Sequence, residues 1–493
     1  MAHICWKLGL SSVPGRVRPS PGPSSVCALI AALVVTHSAS LSAAECTRPT
    51  DPGGAGGYDY GDAKPSSFGN DQVLVWYTTD GPHAVNRASS RSDHVPDDVA
   101  TVAAVTSDAL TRYAAMGFRA PLSDSLSPSC GSNGGDARFD VYLVNMRGAD
   151  GLSVPEAGRC ASDSPKQCAS YLVAKSNFAD SYDSAELGIR TVLPHEAFHA
   201  VQNAYDVDLD RFWAEGSAQW AAKALDPTLT DLERNLPAFF QQTSRSLDAP
   251  TSGVTAAFLY GSAIWPVFLS ERFGEDIVRR VLEAEAVQGD AALAATDMVL
   301  HSMQSSLADE FPLFAAWNAA TGARAGSEGY ENATNYPEVD ASALSDSGAQ
   351  AITSGLASFY YFAQTETATQ IRLETDSARN RGLLVPLEGG SARVDLLAPL
   401  PADLNGAGIV VVSGITTSKK DAPFTISLTA PTAAPHATNN DSSGCSLSAS
   451  APRPRLPPAI GLCFLALAAL MLRLRARGAS TARAVATSDT PNP

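Results

Sequence analysis

Basic residues are in short supply in this sequence of 493 residues. Lysine and arginine number 35 against 51 aspartates and glutamates, which gives a formal net charge of −16. A surface with this balance repels phosphate backbones, so we expect no nucleic-acid partner. No internal repeat of fixed period is present either. With 45% hydrophobic residues, the chain is long enough for two folded domains plus appended segments.

Histidine is scarce as well, with 8 in the chain, yet two histidines stand four residues apart in the segment 191–202, TVLPHEAFHAVQ. Residues at this spacing lie on one face of a helix, so His195 and His199 can hold one ion, and neutral imidazoles suit Zn²⁺. Glu196 would lean toward the open coordination position, where its carboxylate can accept a proton from a zinc-activated water. The plainer alternative is a helix that happens to carry two histidines.

A catalytic zinc site needs a third protein ligand, and the segment 211–220, RFWAEGSAQW, offers one. A helix over about residues 213–225 would place Glu215 near its N-terminus, with Trp213 and Trp220 packing behind it. His195, His199 and Glu215 then predict a zinc site with two imidazoles, one carboxylate and one open position.

The two motifs together resemble those of the gluzincin branch of the zincin metallopeptidases. They are closer still to a group of secreted bacterial zinc metallopeptidases, in which W-x-E-G-x-A-x-W and an aromatic-Tyr-Gly segment follow the histidine helix. The resemblance extends from about residue 72 to residue 324. It implies an α+β, zincin-like metallopeptidase domain over residues 71–325, with strands in its N-terminal part and helices in its C-terminal half.

The resemblance also implies roles for individual residues. His195, His199 and Glu215 would be the zinc ligands, and Glu196 the general base of a zinc-dependent peptidase. The sequence departs from the family at two positions. Pro194 stands inside or at the start of the motif helix, and Ala214 replaces the Asn that many gluzincins have before the third ligand.

Tyr260 is the first candidate for a hydrogen-bond donor to the reacting carbonyl. Peptide hydrolysis builds negative charge on that oxygen, and a Tyr or His donor usually helps zinc to stabilise it. Tyr260 matches the Tyr-Gly position of the family, although a tyrosine packed in the core is the alternative. His301 is a second candidate, although a lone histidine on a helix is more often a surface or structural residue.

The N-terminal residues 1–44 are predicted to be a signal peptide. Basic residues precede the apolar run 26–35, and Ser42-Ala43-Ala44 offers small residues for cleavage. The run is too short to span a bilayer, which argues against a transmembrane anchor. Residues 45–70, rich in Gly, Pro, Ser and Asp, are expected to form a flexible lead-in.

Export permits disulfides, and the cysteines that follow the signal peptide in the exported part are even in number. Cys160 and Cys168 are close in sequence and are the natural pair, which leaves Cys46 with Cys130. Connectivity cannot be deduced from the sequence alone, and these spacings do not suggest a metal site.

The metallopeptidase domain is expected to begin with strands and to end with helices. Strands are predicted at 73–77, 139–144 and 170–174, and a helix from Pro96 to Gly117. Residues 170–174 are interpreted as the edge strand that zincins use to hold a substrate backbone, with an ordinary buried strand as the alternative. Later helices are predicted at about 265–273, 275–286, 291–303 and 306–320.

Alternating carboxylates at Asp206, Asp208 and Asp210 lie between the second and third ligands. This pattern suggests a calcium-binding loop. The EF-hand sequence is absent, however, because Arg211 stands where Gly is needed and Ser217 where Glu is needed. The default interpretation is a solvated acidic loop.

After residue 325 the composition changes. A polar linker over 326–345 is expected to lead into a small all-β sandwich over 346–430. Its clearest strands are predicted at 357–363, 370–375, 393–397, 409–413 and 424–429.

A Ser/Pro-rich spacer over 431–455 precedes the apolar segment 456–478, which ends in arginines, and a disordered tail over 479–493. The apolar segment is marginal for a transmembrane helix, and its arginines favour a cytoplasmic C-terminus. Spacer, Gly444-Cys445, apolar helix and arginines resemble the myxobacterial C-terminal sorting tail, which a sorting protease would process. A plain single-pass anchor is the alternative. In both cases the ectodomain would lie at the cell surface or outer envelope.

Two classes of function follow. The first is a secreted, surface-anchored zinc metallopeptidase, acting on extracellular peptides or proteins. The second is a surface binding or adhesion protein with an idle zincin domain. The intact Glu196 favours the peptidase, because a structural zinc site needs no base and is usually closed by a fourth ligand. The missing G-x-M-E-N exopeptidase signature favours an endopeptidase.

Overall fold

The structure, a computed structural model, describes residues 47–55, 58–126, 133–251, 256–289, 291–327, 329–392 and 398–429. The predicted signal peptide, spacer, apolar segment 456–478 and tail lie outside these ranges, as do Cys46 and Cys130. Within the described ranges, no helix is both long and apolar enough to cross a membrane.

The described chain contains two β-sheets and a large set of helices, which confirms the mixed α+β class. The helices are α1 (Asp97–Ala115), α2 (Ala185–Asn203), α3 (Arg211–Leu225), α4 (Asp231–Phe240), α5 (Ala257–Gly261), α6 (Ile264–Phe273), α7 (Asp276–Gln288), α8 (Ala292–Ser302) and α9 (Leu307–Ala319). The strands of the first sheet are β1 (Ser66–Gly69), β2 (Val73–Tyr77), β3 (Phe139–Val144), β4 (Gly151–Ala161) and β5 (Ser164–Lys175). The helices predicted in the C-terminal half are confirmed within a few residues, while α4 is an additional helix.

The first sheet has the strand order β1-β2-β3-β5-β4 and supports the histidine helix. Its central strands β2, β3 and β5 are parallel, and β4 and β1 run antiparallel to their neighbours at the two edges. Parallel central strands are usually covered on both faces and carry continuous apolar runs, which is why the runs 73–77 and 139–144 were predictable. Helices α1 and α2 cover one face, where Val75, Val141 and Leu172 pack in the same core as Ile189 and Phe198.

Strand β4, rather than residues 170–174, forms the edge of this sheet. Residues 170–174 belong to β5, which is flanked by β3 and β4, so the predicted edge role was wrong. Gly151, Pro155 and Gly158 interrupt the β-forming residues of β4 and conceal it in the sequence. Pro155 is tolerated because an edge strand has one side that donates no ladder hydrogen bonds. The predicted disulfide between Cys160 and Cys168 is confirmed, and it joins β4 to β5.

The segment expected to be a flexible lead-in is anchored to the fold instead. Arg48 is fully buried, with Nη2 3.0 Å from Asp124 Oδ2, Nη1 2.9 Å from Asp140 Oδ2 and Nε 3.0 Å from Glu156 Oε1. Tyr60 packs against the face of the first sheet opposite the helices, and its hydroxyl donates to the carbonyl of Leu143 at 2.9 Å. Buried charges are stable only when paired, so this network fixes the segment in place.

The second sheet comprises β6 (Ser342–Ala343), β7 (Ala349–Thr353), β8 (Ser358–Thr375), β9 (Asn380–Glu388), β10 (Ser391–Ala392), β11 (Ala398–Pro399), β12 (Ala402–Gly414) and β13 (Ala422–Thr429). Its main order is β10-β9-β12-β8-β13-β7. The predicted strands 357–363 and 370–375 are two halves of β8, because residues 364–369 contain Thr but no Gly or Pro to end a strand. A sandwich needs two sheets, whereas one continuous hydrogen-bonded sheet is observed here. The predicted strand 393–397 lies outside the described residues.

The second sheet and the helices share one core. Leu383, Val385, Ile409 and Val411 belong to the same apolar cluster as α9 residues such as Phe311. Residues 326–345, expected to be a polar linker, contribute to this cluster as well, with buried tyrosines at positions 330 and 336. The described residues therefore cluster as a single compact unit.

Candidate metal centre

Helix α2 carries both histidines and is buried along most of its length. The Ser184 side chain caps its N-terminus by accepting a hydrogen bond from the N–H of Leu187 at 3.1 Å. Pro194 lies in the helix interior; because it has no N–H, it cannot donate the usual bond to the carbonyl of Arg190. The Tyr113 hydroxyl of α1 donates to the carbonyl of Pro194 at 3.0 Å, so α1 supports the helix at the turn that begins the histidine motif.

The three predicted ligands come together between α2 and α3. His195 Nε2 lies 3.1 Å from His199 Nε2. Glu215 Oε2 lies 3.4 Å from His195 Nε2 and 3.5 Å from His199 Nε2. All three side chains are buried. Two helices that are adjacent in sequence thus direct two imidazoles and one carboxylate at one point.

This spacing fits a tetrahedral zinc ion. Ligands about 2.0–2.1 Å from a tetrahedral centre are about 3.3–3.4 Å apart, and the three observed separations fall on either side of that value. Among the described residues, this is the only group of three His, Cys, Asp or Glu whose ligand atoms lie within 4.8 Å of one another. The residues present therefore fit zinc, with one coordination position left over.

Without a metal, the surroundings of His199 favour its protonated form. Burial alone would lower the pKa of His199, but its hydrogen bond to Glu215 and the charge of that carboxylate raise the pKa to about 9. The imidazole and carboxylate then form a buried ion pair. A metal ion would have to displace this proton, because a ligating imidazole must be neutral.

Glu196 lies beside the ligands, under the first residues of β4. A Cβ atom built on Gly151 would lie 2.5 Å from Glu196 Cγ, so only glycine leaves room for this side chain. The carboxylate is buried, which raises the pKa of Glu196 to about 7; Glu215 adds to the rise, and the two imidazoles oppose it. A carboxylate with a pKa near neutrality is suited to accepting and returning a proton at physiological pH.

Helix α3 positions Glu215 by packing closely on α5. A Cβ atom on Gly216 would lie 3.1 Å from Ser262 Oγ and 3.3 Å from the backbone nitrogen of Ala263. Trp213 and Trp220 are buried in the core around α3, as predicted. The glycine of the E-G-S segment is therefore a packing requirement that brings the turn between α5 and α6 close to the third ligand. The Ala214 departure from the family leaves the ligand geometry intact.

Tyr260 lies on α5, close to the metal centre. Its ring centroid is 6.2 Å from that of His195, and the side chain is buried. The structure thus brings this candidate to the site, although burial is equally compatible with the core alternative. His301 is different, because its side chain is 64% exposed and its Nδ1 lies 2.7 Å from the carbonyl oxygen of Asp297 on its own helix. It does not contribute to the buried centre.

The acidic loop between α2 and α3 is only partly solvated. Asp206 is buried, and its Oδ2 lies 3.3 Å from Lys166 Nζ, which is 3.7 Å from Asp208 Oδ2. Asp210 Oδ2 accepts a hydrogen bond from the N–H of Ala292 at 2.9 Å. These carboxylates do not converge as calcium ligands, because the described chain has no second group of ligand atoms within 4.8 Å. Glu285 faces the same small cavity and is only 2% exposed.

We expect Glu285→Gln to stabilise the protein in a pH-dependent manner. Burial, with the charges of Asp210 and Asp206, raises the pKa of Glu285 from 4.5 to about 9. Below pH 4.5 both the folded and unfolded states hold this proton, so the substitution has little effect. Between pH 4.5 and 9 only the unfolded state loses the proton, so wild-type stability falls as pH rises. Denaturant unfolding should show the variant more stable by about 3 kcal/mol at pH 7 and equal at pH 4. A gain of the same size at both pH values would contradict the titration.

Sequence comparison adds no family assignment to this geometry. No model of a known protein family matches the chain, and no curated protein matches it at a significant level.

Proposed function

We propose that this protein is a zinc-dependent peptidase of the zincin type, most consistent with a gluzincin endopeptidase. The observation that carries the proposal is the convergence of His195, His199 and Glu215 at tetrahedral spacing, with Glu196 buried beside them. The donor set leaves a position open, which distinguishes a catalytic site from a structural site closed by four ligands. A purely adhesive protein would have no use for that arrangement.

Each residue of this site would have a separate chemical role. His195, His199 and Glu215 would hold the ion. When bound, zinc supplies a Lewis acid that polarises a carbonyl oxygen and makes water more acidic. Glu196 would accept the proton of the attacking water at its carboxylate and pass it to the leaving amine. Tyr260 would donate a hydrogen bond to the oxygen on which negative charge develops.

Strand β4 supports a peptide as the substrate class. It pairs with β5 on one side, and on its other side no described strand pairs with it. Gly151, the first residue of β4, lies directly against Glu196. An extended peptide that hydrogen-bonds to the open side of β4 would run past the catalytic carboxylate. The assignment of this role to β4 replaces the earlier expectation for residues 170–174.

The location of the protein completes the proposal. Residues 1–44 would direct export, and the segment 456–478 would anchor the ectodomain at the cell surface or outer envelope, with or without processing near Cys445. Extracellular peptides or proteins would then be the substrates. Cell fractionation of full-length protein and of a form lacking residues 440–493 would test this, because the shortened form should appear in the medium.

The direct test of activity is digestion of a mixed peptide library by the purified protein. We expect cleavage at internal peptide bonds, its loss on adding a zinc chelator, and its return on adding Zn²⁺. Cleavage that persists in the chelator would overturn zinc catalysis. If protein that is shown to contain zinc cleaves no peptide, the peptidase proposal is wrong.

Tyr260→Phe separates the catalytic interpretation of this residue from the structural one. The substitution removes a hydroxyl and keeps the ring, so a lost oxyanion donor should lower kcat by about 10²–10³-fold, or about 2.7–4 kcal/mol, with little change in KM. The measurements are steady-state kinetics and the melting temperature on the same preparation. Normal turnover with a lowered melting temperature would identify Tyr260 as a core residue.

A further inference from the structure

We infer that Gln202 is a positioning residue that fixes the ring of His199 and ties the second metal ligand to the helix of the third. This inference rests on the proposed metal centre, and it concerns a residue that touches neither substrate nor ion. Gln202 lies one turn after His199 on α2 and is buried. Each end of its amide has a partner in the site.

The amide oxygen of Gln202 selects the form of the imidazole. Gln202 Oε1 lies 2.7 Å from His199 Nδ1. A carbonyl oxygen can only accept, so His199 must carry a proton on Nδ1. The neutral ring then has its lone pair on Nε2, which is the atom directed at His195 and Glu215. Such outer partners of a ligating histidine fix both its tautomer and its ring orientation.

The amide nitrogen of Gln202 reaches the other ligand-bearing helix. Nε2 donates to the carbonyl of Ala214 at 2.8 Å and to Ser217 Oγ at 2.9 Å. The Ser217 hydroxyl has its own acceptor, the carbonyl of Trp213 at 2.7 Å, so its oxygen is free to accept from Gln202. These partners fix the amide orientation, because reversing it would place an oxygen against the carbonyl of Ala214. Ala214 and Ser217 bracket Glu215, so one side chain holds His199 and the backbone around Glu215 at a set distance.

The test compares two buried glutamines in the full-length protein. Gln202→Met keeps length and removes all three hydrogen bonds. Gln219→Met makes the same change on α3, at a residue whose amide donates to Asp231 Oδ2 of α4 at 2.9 Å. Zinc affinity, measured by competition with a chromogenic chelator, should fall by about 10–100-fold in the Gln202 variant. It should stay within about two-fold of wild type in the Gln219 variant.

Gln202→Asn is a second variant in case the methionine variant does not fold. Its amide is one methylene shorter and cannot span His199 and Ala214 together, so the same loss of zinc affinity is expected. Unchanged affinity in the folded Gln202 variants would overturn the inference, as would an equal loss in Gln219→Met, which would show a general effect of buried amides. No peptide is involved in this measurement. Tight zinc binding without peptidase activity would therefore contradict the proposed function but not the role of Gln202.

Discussion

Replacing Glu196 with Gln should lower kcat by at least 10²-fold while the protein keeps its zinc. The amide has nearly the shape of the carboxylate and fits beneath Gly151, but it cannot accept a proton. General-base catalysis contributes about 10²–10⁴-fold, and this is the part of the rate that should disappear. The ligands are untouched, so the metal content should stay close to that of wild type.

Glu186→Gln is the matched control for this prediction. It makes the same chemical change on the same helix, in the exposed first turn. Steady-state kinetics and metal analysis of the two variants, side by side, separate a loss of the base from a general effect on α2. Full turnover by Glu196→Gln would exclude the carboxylate from the reaction. Loss of zinc from it would instead show that the residue supports the ligands.

Removing a ligand should abolish both metal binding and activity. Wild-type protein is expected to contain about one zinc per chain, and His195→Ala or Glu215→Ala leaves two ligands, too few for a stable tetrahedral site. The Glu215 variant also leaves His199 without the carboxylate that raises its pKa, so the metal-free protein changes as well. Atomic absorption on dialysed protein gives the metal content, and the peptide assay gives the activity.

His301→Ala serves as the control for ligand removal, because this histidine is exposed and bonded only to its own helix. We expect it to retain zinc and full turnover. Zinc retained by both ligand variants, or absent from wild type, would show that these residues do not form a zinc site.

The predictable part of the site lies in two short segments. His195, Glu196 and His199 are related by helical spacing, and Glu215 by a motif on the next helix, so spacing and motif together were enough to group them. Gln202 stood in the same segment, but its role depends on the carbonyl of Ala214 and on Ser217, which only the packing of α3 against α2 reveals. Gly151 was missed for the same reason, since its contact with Glu196 joins β4 to α2.

The strands of the first sheet were also predictable only in part. Strands β2 and β3 were predicted because their apolar runs are continuous, whereas Pro155 and two glycines concealed β4. Composition also misled at two segments of the folded part. Residues 45–70 and 326–345 are polar enough to be taken for flexible chain, but one arginine and two tyrosines anchor them. Long-range ion pairing and burial of single side chains leave no periodic trace in a sequence.

Because α9 and the second sheet share one core, this protein should not tolerate truncation or domain exchange between them. Phe311, Phe314 and Ala315 of α9 are buried in that core, together with Ile409 and Val411 of β12. A chain ending near residue 325 would expose this apolar surface to water and invite aggregation. Evolutionary exchange of the region before residue 325 without the second sheet would face the same obstacle. The second sheet is thus an integral part of the compact unit that the described residues form, and not an interchangeable accessory module.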